Sequence, residues 1–72
     1  MEKSFYYSIP WSEVSYLKEA MTSMQIPFVI EQPSNKLPLE EGEVAIVFPN
    51  MHVRVYNHVR ELFNSHGLRY PE

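Results

Sequence analysis

Three histidines, His52, His58 and His66, are the residues of this chain best suited to hold a metal ion. A zinc-binding helix places two histidines four residues apart, and no pair of these three has that spacing. His58 and Glu61 lie three residues apart on a predicted helix, but a structural zinc site needs four ligands, and no third stands beside them. We therefore predict that the protein binds no metal.

The residues that could carry catalysis are equally isolated. Glu40, Glu41 and Glu43 form a solvated run, whereas acid–base chemistry needs two carboxyl groups in different environments. Ser34 and Ser65 lack the flanking glycines of a nucleophile elbow. With two glycines and no cysteine, the chain has no glycine-rich phosphate loop, thiol nucleophile or disulfide. We predict that the protein is not an enzyme and uses no cofactor.

Size and composition favour a small globular protein. The chain has 72 residues, 44% of them hydrophobic and 14% aromatic, which is enough to build the core of one α+β domain spanning residues 1–72. Its net charge of −3, with only six Lys and Arg residues, disfavours binding to a nucleic-acid backbone. The chain starts without a signal peptide, has no apolar run long enough for a bilayer and lacks cysteine. We therefore predict a cytoplasmic protein that does not enter membranes.

Hydrophobic periodicity places the elements that would position these residues. Alternating apolar residues predict strands, and a stripe repeating every 3.6 residues predicts helices. An apolar run without alternation predicts a strand buried on both faces. The predicted elements are a strand at 4–9, a helix at 12–25, a strand at 27–32, a long loop at 33–42, a central strand at 43–48, a helix at 51–66 and a short strand at 68–70.

Residues with special roles at helix ends support these boundaries. Ser12 and Asn50 are the predicted N-caps, because their side chains can accept hydrogen bonds from free backbone N–H groups. Trp11 and Tyr16 have the spacing of a hydrophobic staple across the first turn of the first helix. Gly67 is predicted to end the second helix in a left-handed conformation.

The order of the elements predicts the fold. A β-α-β-β-α-β chain forms a ferredoxin-like split βαβ arrangement, with a four-stranded antiparallel sheet and both helices on one face. The first and third strands are then central, and the second and fourth are edges. Pro27, Pro33 and Pro71 flank the two predicted edge strands, where a missing N–H donor is tolerated.

The face of this sheet away from the helices is predicted to be unusually apolar. If the bulkier side chains point to the helices, the other face shows Tyr6, Val29, Ala45 and Val47. Contiguous exposed apolar residues often mark an interaction surface. The alternative is a modest patch that remains solvated or that the long loop at 33–42 covers.

The sequence therefore predicts a small interaction or regulatory protein. It would bind a protein partner and could form a homodimer through Tyr6, Val29, Ala45 and Val47 on the open sheet face. One alternative is a module for single-stranded RNA or DNA, in which Tyr6 stacks on a base. A second alternative is a domain that senses a small ligand at a dimer interface.

Overall fold

The computed structural model of the chain describes residues 2–37 and 39–71, so residue 38 of the predicted loop and the two terminal residues lie outside the description. Within these residues four strands form one antiparallel sheet in the order β2-β3-β1-β4, and two segments form α-helices. The predicted α+β architecture is confirmed, with the first and third strands at the centre. The elements are β1 (Phe5–Pro10), α1 (Val14–Ser23), β2 (Val29–Glu31), β3 (Glu43–Phe48), α2 (Val53–Phe63) and β4 (Leu68–Arg69).

The two central strands pair along their whole length, from Phe5 opposite Phe48 to Pro10 opposite Glu43. Both edge strands are much shorter: β2 pairs three of its residues with β3, and β4 pairs only two with β1. Because side chains alternate across a strand, Phe5, Tyr7 and Ile9 of β1 share the face that packs against the helices. The sheet is therefore long at its centre and short at its edges.

Helix α1 begins at Val14, two residues later than predicted. A 3₁₀ turn at Trp11–Glu13 precedes it, and no side chain caps its N-terminus, so the predicted Ser12 cap is wrong. Trp11 and Tyr16 are 61% and 70% exposed, which leaves the predicted staple largely in solvent. The sequence predicts an apolar stripe at Val14, Leu17, Ala20, Met21 and Met24. Val14, Leu17 and Met21 are buried, Ala20 is half-buried, and Met24 is 44% exposed.

Helix α2 is shorter at both ends than predicted. Its N-cap is His52, so the predicted Asn50 cap is wrong. The Nδ1 atom of His52 accepts a hydrogen bond from the N–H of Arg54 at 3.1 Å. It ends at Asn64, which takes the left-handed conformation with φ of 58° that was predicted for Gly67. Asparagine tolerates that conformation better than most residues because its short side chain can hydrogen-bond locally. Gly67 is also left-handed, with φ of 81°, but it lies three residues further on at the entrance to β4.

The core between the sheet and the helices is rich in aromatic rings. Tyr7 stacks on Phe63 with ring centroids 4.1 Å apart, and Phe5 stacks on Phe48 at 5.1 Å. Phe48 meets Phe63 edge to face at 5.9 Å, which joins the two pairs into one network. Such ring contacts add to the free energy gained by removing apolar area from water. Within the described chain, no helix combines the length and the apolar character needed to cross a membrane.

Candidate partner-binding site

The four residues predicted to form an exposed apolar face do lie together. Val47 is opposite Tyr6 on one side and Val29 on the other, and Ala45 shares their face of the sheet. Yet Ala45 and Val47 are 0% exposed and Tyr6 is 7% exposed, while Val29 is half-buried. The prediction that this face is open to solvent is wrong, and the alternative of a covering loop is the one observed.

Two segments of the same chain cover this back face of the sheet. Leu37, from the loop between β2 and β3, is 0% exposed, and Tyr70, just after β4, is 7% exposed. Leu39 adds a partly buried contact from the same loop. The buried cluster consists of Tyr6, Leu37, Ala45, Val47 and Tyr70. An apolar sheet face that its own chain buries is not available as a contact surface for a second molecule.

A compact turn directs Leu37 onto the sheet. The side-chain oxygen of Ser34 accepts hydrogen bonds from the backbone N–H groups of Lys36 and Leu37, both at 3.3 Å. The N–H of Ser34 donates in turn to the carbonyl of Leu37 at 3.2 Å. Serine is suited to this role because its hydroxyl can replace a backbone group in a local turn. The loop is thus shaped by local hydrogen bonds and held by one deeply buried side chain.

A polar cluster closes the rim of the back face. The Tyr70 hydroxyl lies 2.9 and 3.1 Å from the two carboxylate oxygens of Glu31, and the Lys3 ammonium forms an ion pair with the same carboxylate. The ammonium groups of Lys3 and Lys36 each lie 5.3 Å from the centre of the Tyr70 ring, within the range of cation–π attraction. The hydrogen bond from Lys3 lowers the pKa of Glu31, although partial burial opposes it, and the Tyr70 hydroxyl lowers it further.

A hollow in the surface lies on the helix side of the sheet, beside β1. We call this hollow the β1 cleft; it has a volume of about 360 Å³ and lies where α1 begins and α2 ends. Most of its wall is apolar, while Glu13 and two serines supply polar groups. Its lining consists of Tyr7, Ser8, Ile9, Pro10, Glu13, Tyr16, Leu17, Leu62, Phe63 and Ser65.

The backbone edge of β1 is open beside the β1 cleft. Strand β4 pairs with Phe5 and Tyr6 and goes no further along β1. Ser8 is exposed, and it has no backbone partner in β4. A second hollow of about 260 Å³ flanks the same stretch and shares Tyr7, Ser8 and Ser65 with the first. An unpaired strand edge with hollows beside it is the arrangement to which an extended chain can add as a further strand.

Buried hydrogen bonding fixes the wall of the β1 cleft. The hydroxyl of Tyr7 donates to the carbonyl of Ser65 at 2.8 Å, which ties β1 to the chain that leaves α2. Burial, together with the nearby Tyr56 hydroxyl, raises the pKa of Tyr7 to about 12, although Arg60 opposes the shift. The phenol therefore stays protonated at neutral pH and acts as a fixed donor.

The three histidines lie outside the lining of the β1 cleft. His52 caps α2 through its Nδ1 atom, and His58 is exposed on the same helix. His66 accepts a hydrogen bond at its backbone carbonyl from the hydroxyl of Tyr56 at 3.0 Å. Residues 2–37 and 39–71 contain no group of three or more His, Asp or Glu side chains placed to hold one metal ion.

The sequence does not predict the β1 cleft, although two features of the sequence point to it. The predicted fourth strand is shorter than the first, so part of β1 lacks a partner on that side. Tyr16, predicted to form a staple, lies on the polar side of an amphipathic helix, which is the place of an exposed aromatic. Comparison of the chain with models of protein families, with curated proteins and with solved structures finds no match.

Proposed function

We propose that this protein is a non-enzymatic interaction module of the cytoplasm, and that it binds a partner protein at the β1 cleft. One observation carries the proposal: the unpaired backbone edge at Ser8 lies directly beside an apolar hollow. A backbone edge offers hydrogen bonds to any chain, and a neighbouring hollow selects one side chain over another. The two together are what recognition of a protein segment requires.

The exposed aromatic on the wall supports this proposal. Tyr16 is 70% exposed at the mouth of the cleft, and the apolar residues Leu62 and Phe63 form the opposite wall, half-buried. Tyrosine is enriched at protein interfaces, because its ring offers a large rigid contact area and its hydroxyl a hydrogen bond. Contact with Tyr16 would therefore contribute to binding without a change in the fold.

The partner is not proposed to bind through the back face of the sheet. Ala45 and Val47 are fully buried beneath Leu37, and exposing them would require displacement of the loop and of Tyr70. A homodimer through that face would first have to give up the area that the loop already buries. The β1 cleft needs no such rearrangement.

Selection from a random-peptide phage library against the immobilised protein tests the proposal. We expect enriched peptides, and we expect Tyr16→Ala to weaken binding of the synthetic peptide about tenfold, the effect of losing an interface anchor. Met24→Ala is the matched control, since Met24 directly follows the same helix and is exposed but lies outside the cleft. Failure to enrich any peptide, or equal affinity for the Tyr16→Ala and Met24→Ala variants, would rule the site out.

A further inference from the structure

We infer that the partner presents an extended segment that continues β4 along the edge of β1 and hydrogen-bonds to both backbone groups of Ser8. This segment places an apolar side chain in the β1 cleft and a basic side chain beside Glu13. The inference rests on the proposed function and adds to it the conformation and chemistry of the bound chain.

The hydrogen bonds around β1 show which backbone groups face the open edge. The N–H of Trp11 donates to the carbonyl of Gly42 at 2.8 Å, on the β3 side, while the N–H of Tyr70 donates to the carbonyl of Ser4 at 3.0 Å, on the β4 side. In an antiparallel ladder alternate residues bond to opposite neighbours. Ser4, just before β1, bonds to both neighbours, because its N–H donates to the carbonyl of Phe48 at 2.8 Å. From Phe5 onward the backbone groups of the even-numbered residues point to the β4 side, so both backbone groups of Ser8 point to the edge beyond the end of β4. Proline at position 10 has no N–H, so the open edge has a single donor.

The protein's own chain is held away from this edge. The carbonyl of Ser65 accepts the Tyr7 hydroxyl at 2.8 Å, and that of His66 accepts the Tyr56 hydroxyl at 3.0 Å. Both bonds draw the segment between α2 and β4 towards the helices. Gly67 then passes so close to Tyr7 that an added Cβ atom would lie 2.9 Å from the ring. The edge at Ser8 stays open because Ser65 and His66, which precede β4, are hydrogen-bonded towards the helices and do not extend β4.

The two hollows match the alternation of an added strand. Successive side chains of a strand point to opposite faces. A chain paired with Ser8 would thus send one side chain into the β1 cleft, where Leu17, Leu62 and Phe63 form apolar walls. A neighbouring residue would meet the smaller hollow, whose lining includes Leu68, which is 56% exposed. An extended segment uses both hollows, whereas a helix would reach only one.

The charge beside the edge defines the chemistry of the segment. Glu13 is the acidic side chain in the lining of the β1 cleft. Among the described residues that line the cleft, none is Lys or Arg. Opposite charges across an interface favour the encounter and fix the register, so the bound segment is expected to carry Lys or Arg beside Glu13.

Ser8→Pro and Ser8→Ala form the decisive pair of variants. Proline removes the backbone N–H donor, whereas alanine keeps it. A strand tolerates proline at a position whose N–H faces solvent, as that of Ser8 does. With the peptide selected from the phage library as probe, we expect Ser8→Pro to weaken binding about tenfold, and Ser8→Ala to change it less than about twofold. Glu13→Gln should weaken binding about twofold to fivefold at low salt, as the loss of an exposed ion pair does.

N-methylation of the peptide, one residue at a time, keeps the test valid if Ser8→Pro fails to fold. The wild-type protein is used, and binding should fall at alternate positions only, because alternate N–H groups of an added strand face β1. Equal affinities for the Ser8→Pro and Ser8→Ala variants, or a methylation profile without alternation, would overturn the added strand. If Tyr16→Ala still weakened binding in that case, the proposed function would survive. A dimer that Ser8→Pro dissociates would instead assign the edge to a second copy of this chain.

Discussion

The two faces of the sheet are covered in different ways. On the helix side, α1 and α2 bury aromatic rings that stack and meet edge to face, among them Tyr7, Phe48 and Phe63. On the back face, a loop and the residues after β4 bury a smaller cluster around Val47. One face is thus closed by regular elements with large side chains, and the other by irregular segments that contribute chiefly Leu37 and Tyr70.

This difference separates the stability of the fold from the stability of its cover. Large rings between regular elements cannot be removed without loss of the core. A cover held by one leucine and a rim of polar contacts involves fewer buried atoms, and segments with few buried contacts open at lower free energy than the whole fold. Mutations on the two faces should therefore differ in size.

Phe48→Ala is expected to give the largest effect. Phe48 is 0% exposed, stacks on Phe5 at 5.1 Å and meets Phe63 at 5.9 Å, so its removal leaves a large cavity. We expect a loss of about 3–5 kcal/mol in the free energy of unfolding, measured by urea denaturation followed by circular dichroism. Because small domains are only marginally stable, much of the variant should be unfolded in water.

Val47→Ala, next to it on the strand, is the matched comparison on the back face. Val47 is as buried as Phe48, but its substitution removes less volume. We expect a loss of about 2 kcal/mol in the free energy of unfolding, measured in the same way. A negligible loss of stability would mean that the loop leaves this face exposed to water. A loss equal to that of Phe48→Ala would contradict the expected difference between the two faces.

The sequence predicts what covers the helix side of the sheet better than it predicts what covers the back face, and the reason is physical. An amphipathic helix repeats its apolar residues, so Val14, Leu17 and Met21 signalled what covers the helix side. Leu37 is a single apolar residue in a loop, where no period exists to show that it points inward. No periodic pattern predicts the β1 cleft either, because the cleft arises where β4 is shorter than β1 and not from a sequence motif.

Leu37→Ala tests whether the loop is a true cover. Leu37 is 0% exposed on the back face, so we expect the variant to lose about 2 kcal/mol, the low end of the range for a buried leucine, because a loop can partly collapse into the space. Asn35→Ala, in the same loop but exposed, should stay within about 0.5 kcal/mol of wild type. Urea denaturation measures both, and equal stabilities for the two variants would contradict a covered back face.

Tyr6 and Tyr7 are adjacent on β1 and place the same phenol group on opposite faces of the sheet, so substitutions at the two positions compare the faces. The pKa of Tyr7 is raised from about 10 to about 12 by burial, so its contribution to stability is complete below pH 10 and is lost as the pH rises towards 12. Absorbance of tyrosinate should show a phase near pH 12 that Tyr7→Phe removes and Tyr6→Phe retains. Tyr7→Phe should also lose about 1 kcal/mol of stability at neutral pH, because the carbonyl of Ser65 loses its donor. Persistence of the late phase in Tyr7→Phe would refute its assignment to the helix side.

Glu31→Gln should give the smallest effect, because it alters only the polar rim of the back face. The pKa of Glu31 lies below its ordinary value of 4.5, chiefly through the hydrogen bond from Lys3, so the carboxylate stabilises the fold above about pH 4.5. That contribution is lost as the pH falls through the lower pKa of the folded state. Thermal unfolding between acid and neutral pH should therefore show a shallower acid decline for Glu31→Gln than for wild type. High salt should reduce the difference, since it screens exposed ion pairs. An identical acid decline in both proteins would mean that the rim contributes nothing, and that Leu37 and Tyr70 hold the cover by packing alone.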